Sequence, residues 1–182
     1  MFNNLIETRR SIRQFKPKPV ETDKIRKIVE AALRSPSSMG RNPWEFIVVT
    51  EPELLDKLSR SKEHGSSFLK NSPFAIVVCA DPQKCDVWVE DASIASIFIH
   101  LAAHGLGLGS CWIQVRERMH DAQSTAEEYI QQILNIPANL KVESIIAIGY
   151  PNEQKAGHPT DQLQYSKVHL NSHDKEYPMP SA

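Results

Sequence analysis

Between Thr22 and Leu33 apolar residues recur at 25, 28, 29, 32 and 33 behind Thr22 or Asp23 as a cap, and this period predicts an amphipathic helix. A break rich in serine and proline runs over 35–43, and Trp44 to Val49 is then a β-branched and aromatic run of strand type. Pro52 to Arg60 reads as a short helix. Ala75 to Ala80, apolar throughout, reads as a second strand from the middle of a sheet. From Asp91 to His104 the chain is apolar nearly all round the helical wheel, broader than a helix on a solvated surface shows, which predicts a buried central helix. Gly105-Leu106-Gly107-Leu108-Gly109 ends it, with Gly105 as the expected left-handed cap. Ser110 to Val115 predicts a third strand and Thr125 to Leu134 another helix. Val142 to Ile148 predicts a fourth strand, closed by Gly149-Tyr150-Pro151. Beyond Asn152 no amphipathic period is sustained and prolines stand at 159, 178 and 180, so this tail is either disordered or an arm laid on a partner. Helices and strands do not alternate strictly, which points to an α+β or mixed α/β class.

Composition adds a constraint on that central helix. The chain has 182 residues, 41% apolar and 24% charged, as expected of one domain. A domain of this size buries only about 70% of its unfolded surface, so a helix apolar on every side is hard to cover within one chain and a second copy is expected. The net charge of −1 provides no broad field for nucleic acid or an anionic membrane. The longest apolar run, Ile94 to Ala103, is interrupted by Ser96 and His100 and falls short of the roughly 20 residues of a bilayer crossing. The N-terminus shows no signal-peptide pattern, so a cytoplasmic location is expected. Cys79, Cys85 and Cys111 form no C-x-x-C pair and suggest neither a disulfide framework nor a metal knuckle.

Against this near-neutral background, Arg9-Arg10-Ser11-Ile12-Arg13-Gln14-Phe15-Lys16-Pro17-Lys18 gathers five cations in ten residues. A solvated charge run is one reading. The other takes Ile12 and Phe15 as anchors in the core, with guanidinium groups and the Ser11 hydroxyl converging on a phosphate monoester. A DNA-binding arm fits less well, because no recognition helix follows. The glycines at 105, 107 and 109 lie between helix and strand, the reverse of a dinucleotide fingerprint, and suit a cap or close packing of backbone or a flat ligand. His100 and His104 stand at i, i+4 without the glutamate of a helical zinc motif, and read as structural histidines. Cys111 carries no sign of activation and reads as a small apolar strand residue. Glu90 and Asp91, at the start of the central helix, suit its dipole better than an acid pair. Ser37 and Ser38 lack a nucleophile elbow and are either loop residues or ligand contacts.

Taken together, Arg9 to Phe15, then Ser35-Pro36-Ser37-Ser38-Met39-Gly40-Arg41-Asn42-Pro43-Trp44-Glu45-Phe46, then Glu90 to Ile113 and Ile148-Gly149-Tyr150-Pro151 resemble the nitroreductase family of FMN-dependent NAD(P)H oxidoreductases, over almost the whole chain. The resemblance implies an α+β fold, a mixed but mainly antiparallel sheet flanked by helices, and an intertwined homodimer with two FMN sites at its interface. It implies a core over 1–151 and an arm over 152–182 that packs on the partner. By position, Arg9, Arg10, Ser11 and Arg13 would hold the phosphate and ribityl chain. Pro36, Ser37, Ser38 and Met39 would border the ring from the other subunit, with Asn42 at its polar edge. Ser110, Cys111 and Trp112 would approach by backbone, and Lys167 or His169 would complete the phosphate clamp. No side chain is expected to act as nucleophile or general acid, and no metal is implied. Hydride would pass from NAD(P)H through tightly bound FMN to nitroaromatic, quinone or flavin acceptors by ping-pong turnover. A flavin-storage protein, or one reduced by a partner, is the alternative. Three positions depart from the family pattern: Gln114 stands where many relatives have glycine, Lys167-Val168-His169 replaces a Lys/Arg pair, and Lys62 to Lys70 provides no recognisable equivalent of the polar residues beside the pyrimidine.

Overall fold

Strand β2 (Phe74–Ala80) is buried at every residue because it lies inside a four-stranded sheet, between β1 (Trp44–Val49) and β4 (Lys141–Gly149). The computed structural model that shows this describes residues 2–178; the predicted tail residue Pro180 lies outside them. With β3 (Gly109–Gln114) the sheet runs β1-β2-β4-β3, and all three pairings are antiparallel. A lone bridge between Ser11 and Ser110 contributes a parallel pairing at the β3 edge.

Alternation along the strands builds two cores. Ala75, Val77 and Cys79 face one side, with Leu55 of α3 (Pro52–Ser59) and Ile130 of α5 (Ala126–Leu134). Phe74, Ile76 and Val78 face the other, with Ile28 of α2 (Thr22–Leu33) and Ile99 of α4 (Trp88–Gly105). The chain is therefore α+β, with helices on both faces of an antiparallel sheet. In β4, Val142, Ile145 and Ala147 share one core although their spacing is uneven. The pairing passes from Cys79↔Val142 to Val78↔Ser144, so Glu143 is an extra bulged residue that resets the alternation.

Several local expectations are revised. Thr22 and Asp23 lie inside α2, whose N-cap is Glu21 with no side-chain cap, and Asp23 instead pairs with Arg26 and Lys27. Thr125 does cap α5, in a reciprocal capping box with Glu128. The left-handed residue after α4 is Gly107 (φ +75°), not Gly105. Its N–H donates to His104 C=O, and the Leu108 N–H donates to Ala103 C=O, a Schellman closure centred on Gly107. A short helix α1 (Phe2–Thr8) has no counterpart in the sequence reading.

The central helix is covered on one side only. Ala92, Ala95, Ile99 and Ala103 are buried in the second core, whereas Ile94, Ile97 and Phe98 remain 38%, 49% and 37% exposed. Within one chain its apolar circumference is therefore not fully packed. Beside this face a groove of about 580 Å³ is lined by Phe2, Leu5, Ala31, Phe98, Leu101 and Leu106. No helix among the described residues is long and apolar enough to cross a membrane.

Candidate active site

Ile12 and Phe15 anchor the basic segment as its pattern predicts, at 8% and 6% exposure. The segment meets β3 at Ser11 and Ile12, where the Ile12 N–H donates to Ser110 C=O at 3.0 Å. This approach requires glycine at 109, because a Cβ there would lie 2.7 Å from Ile12 Cβ. Gly109→Ala should push the segment off the sheet edge and cost about 1–3 kcal/mol of stability; urea unfolding of the variant checks this.

The tail holds the outer side of this segment through residues that the sequence reading did not single out. Glu153 Oε1 accepts the Arg13 N–H at 2.5 Å and the Gln14 N–H at 3.1 Å. Lys155 Nζ pairs with Glu153 Oε2 at 3.0 Å and donates to Ser11 C=O at 3.0 Å. The Arg10 guanidinium is turned to the Ala156 carbonyl. Residues 153–156 thus lie on their own chain. Arg9 and Arg13 make no ion pair among the described residues, and the Arg13 guanidinium lies 5.9 Å from the Phe68 ring centroid.

On β3, Ser110 is buried and its hydroxyl meets His100 Nδ1 at 2.7 Å. Burial, aided by Arg9, holds the His100 imidazole down at about 4, so it is neutral at pH 7. His104 Nε2 meets the Thr8 hydroxyl at 2.8 Å. Both histidines are thus satisfied structurally, by hydroxyl groups. Burial pushes the Cys111 thiol up against the opposing pull of Arg13 and Lys155, leaving it protonated and unsuited to attack. Trp112 Nε1 donates to Gln114 Oε1 at 2.8 Å, and Gln114 Nε2 donates to Arg116 C=O at 3.1 Å, so the residue that departs from the family pattern locks the Trp112 ring. Lys62 is half-buried in the same region; burial and Arg118 hold its ammonium below the usual lysine range. Arg13, Lys62 and Lys155 therefore lie near Cys111, brought from three separate stretches of sequence.

The second motif forms a strained loop elsewhere. Met39 (φ 53°), Gly40 (φ 66°) and Asn42 (φ 46°) all adopt left-handed backbone. Ser37 closes the loop, accepting the Asn42 N–H at 2.9 Å and donating to Asn42 Oδ1 at 2.7 Å. Pro36 is exposed, Met39 is 84% exposed, and the Ser38 N–H donates to Asp91 Oδ1 at 2.8 Å. This loop leads into β1, whereas the Arg9–Arg13 segment lies beyond β3 at the other edge of the sheet. Four interstrand spacings of about 4.8 Å separate the two edges by roughly 19 Å. No hydrogen bond or ion pair joins the two motifs among the described residues.

Lys167 and His169 also stand apart. The Lys167 N–H closes a local turn on Gln164 C=O, His169 stacks on His173 at 4.4 Å, and neither side chain bonds to residues 9–13. A cavity of about 500 Å³ lies between α1, the first motif and the tail, lined by Thr8, Arg10, Ile12, His104 and Lys155 among others. A further cavity, about 810 Å³, shares only Arg13 with the predicted site residues.

Comparison with known proteins agrees with this architecture. An FMN-dependent nitroreductase from Clostridium difficile R20291 superposes with a TM-score of 0.91 at 51% identity, over 92% of this chain and 98% of that one. A protein of Archaeoglobus fulgidus with the provisional name NADH dehydrogenase/NAD(P)H nitroreductase is 39% identical over 161 residues, covering 86% of this chain and 89% of its own length. One of the same name from Methanothermobacter thermautotrophicus is 38% identical over 168 residues, covering 91% and 84%. Residues 6–62 and 59–150 match the pattern described as the Nitroreductase family, and the chain belongs to that family.

Proposed function

We propose that two copies of this chain form an FMN-dependent NAD(P)H oxidoreductase that reduces nitroaromatic, quinone or flavin acceptors by ping-pong turnover. The observation that carries this reading is the separation of the two motifs. Two segments that resemble parts of one flavin site stand at opposite sheet edges of one chain, while α4 presents an uncovered apolar face. A two-fold pairing on that face would bring the Pro36–Asn42 loop of one copy to the Arg9–Arg13 segment of the other. Residues 1–151 would form the core of each site. The arm that crosses to the partner would begin after Ala156, where Leu163, Val168 and Leu170 are exposed.

The donor set fits the cofactor. Arg9 and Arg13 lack ion-pair partners among the described residues and flank the Ser11 hydroxyl, the chemistry that a phosphate monoester requires. Arg10, Lys167 and His169 would join them on assembly. Pro36, Ser37, Ser38 and Met39 would border the ring with Asn42 at its polar edge, and Ser110, Cys111 and Trp112 would face it by backbone. Bound FMN supplies the hydride chemistry between the nicotinamide donor and the acceptor. The protein contributes placement and charge: Arg13 and Lys62 near Cys111 favour a ligand that gains negative charge on reduction. With His100 held neutral and Cys111 held as a thiol, neither serves as proton donor or nucleophile at pH 7.

The purified protein should be yellow, release FMN on denaturation, and bleach with NADH or NADPH without oxygen. A colourless protein that cannot be reconstituted with FMN would overturn the reading, and a flavoprotein that neither nicotinamide reduces would point to storage or to reduction by a partner. Arg13→Ala should weaken FMN retention roughly 10- to 100-fold through loss of charge-assisted hydrogen bonds, with the dimer mass unchanged. Equal loss of dimer and flavin would mark Arg13 as structural.

A further inference from the structure

Asp91 is a buried carboxylate that this function leaves unused. It sits in the first turn of α4 at 3% exposure, and the fold treats its two oxygens differently. Oδ1 accepts the Ser38 N–H at 2.8 Å, across a sequence separation of 53. Oδ2 is buried with no hydrogen-bond partner among the described residues. A half-paired buried carboxylate lowers stability, and such groups are retained chiefly where a site requires them.

The segment it holds is the strained loop of the second motif. Met39 and Asn42 are non-glycine residues at positive φ, a conformation that persists only where surrounding contacts impose it. Within residues 36–42 the other hydrogen bonds are internal to the loop. The bond to Asp91 is, among the described residues, the one hydrogen bond that ties them to another element. The ion pair of Arg41 with Asp86, exposed and at 3.7 Å, adds little.

We propose that Asp91 is a positioning residue for the flavin site: it fixes the Ser38 backbone and, through it, the Pro36–Met39 surface that borders the ring. The same helix carries the uncovered Ile94, Ile97 and Phe98, so one rigid element both pairs the subunits and aims the loop. The ring-bordering part of this role rests on the flavin reading above; the loop-holding part does not.

Two variants separate positioning from general stability. Asp91→Asn keeps an oxygen for the Ser38 N–H, and Asp91→Ala removes it. Deuterium uptake by residues 36–42 in flavin-free protein should rise roughly tenfold in the alanine variant, the effect of one lost charge-assisted bond, and stay within about threefold of wild type in the asparagine variant. The FMN dissociation constant should follow the same order. The dimer mass should be unchanged, and the melting temperature of the flavin-free protein should not fall, because the buried Oδ2 without a partner has been removed as well. Uptake in the alanine variant equal to wild type overturns the proposal, as does an asparagine variant as impaired as alanine. Lowered melting in both variants, with flavin loss in proportion, also overturns it by making Asp91 merely structural. If wild-type protein takes up no FMN, the flavin reading fails alone, and the exchange measurement still decides whether Asp91 holds the loop.

Discussion

Ile97→Asp should convert the protein to a monomer that no longer retains FMN. Ile97 is 49% exposed on α4, between Ile94 and Phe98. In a two-fold interface each substitution counts twice. Losing two buried isoleucine side chains costs about 3–6 kcal/mol before the desolvation of two carboxylates is added, which weakens association roughly a thousandfold or more. Because the proposed site takes one motif from each copy, flavin should be lost with the dimer. Analytical ultracentrifugation with flavin fluorescence checks both. A variant that stays dimeric would remove this face from the interface, and a monomer that keeps its flavin would show that one chain completes the site.

The second large effect is acid destabilisation through His100. Its imidazole is 4% exposed and held neutral by burial, with Arg9 adding to the effect, so its folded pKa of about 4 lies below the ordinary value of 6.5. The unfolded chain binds the proton more readily. The contribution to stability is therefore fully present above pH 6.5, falls as the pH drops towards 4, and is constant below that. A shift of this size corresponds to about 3 kcal/mol. His100→Asn can keep a hydrogen bond to Ser110 while removing the titration, so its melting temperature should vary less between pH 6.5 and 4 than that of wild type. Parallel profiles for the two proteins would exclude His100 as the source.

Much of the fold is legible in the chain because its signals are local. The period of α2, the β-branched runs of β1 and β2, and the Thr125 capping box are decided by residues within a few positions of one another. Where several candidates share one neighbourhood, local pattern is insufficient. Three glycines follow α4, and only the geometry of closure assigns the left-handed turn to Gly107. Helix α1 buries none of its residues and depends on contacts with α4, such as Thr8 with His104, so seven residues of weak pattern do not announce it.

The candidate site divides in the same way. The two motifs are visible because runs of cations, serines and prolines are unusual in a chain of near-zero net charge. Glu153 and Lys155 are not visible, since a carboxylate and an ammonium in a patternless tail acquire meaning only when they meet backbone groups some 140 residues away. Asp91 shows the limit most clearly: its place at a helix start suggests a dipole role, and only the folded chain reveals the amide that it holds. Sequence alone determines most of the helices and strands and the existence of two polar motifs, because side-chain period and turn chemistry act over a few residues. Tertiary structure alone decides that those motifs stand at opposite edges of one sheet, that one face of α4 is left open, and that buried carboxylates and amides find their partners. Those outcomes depend on strand order and close packing, which bring together residues that the chain keeps far apart.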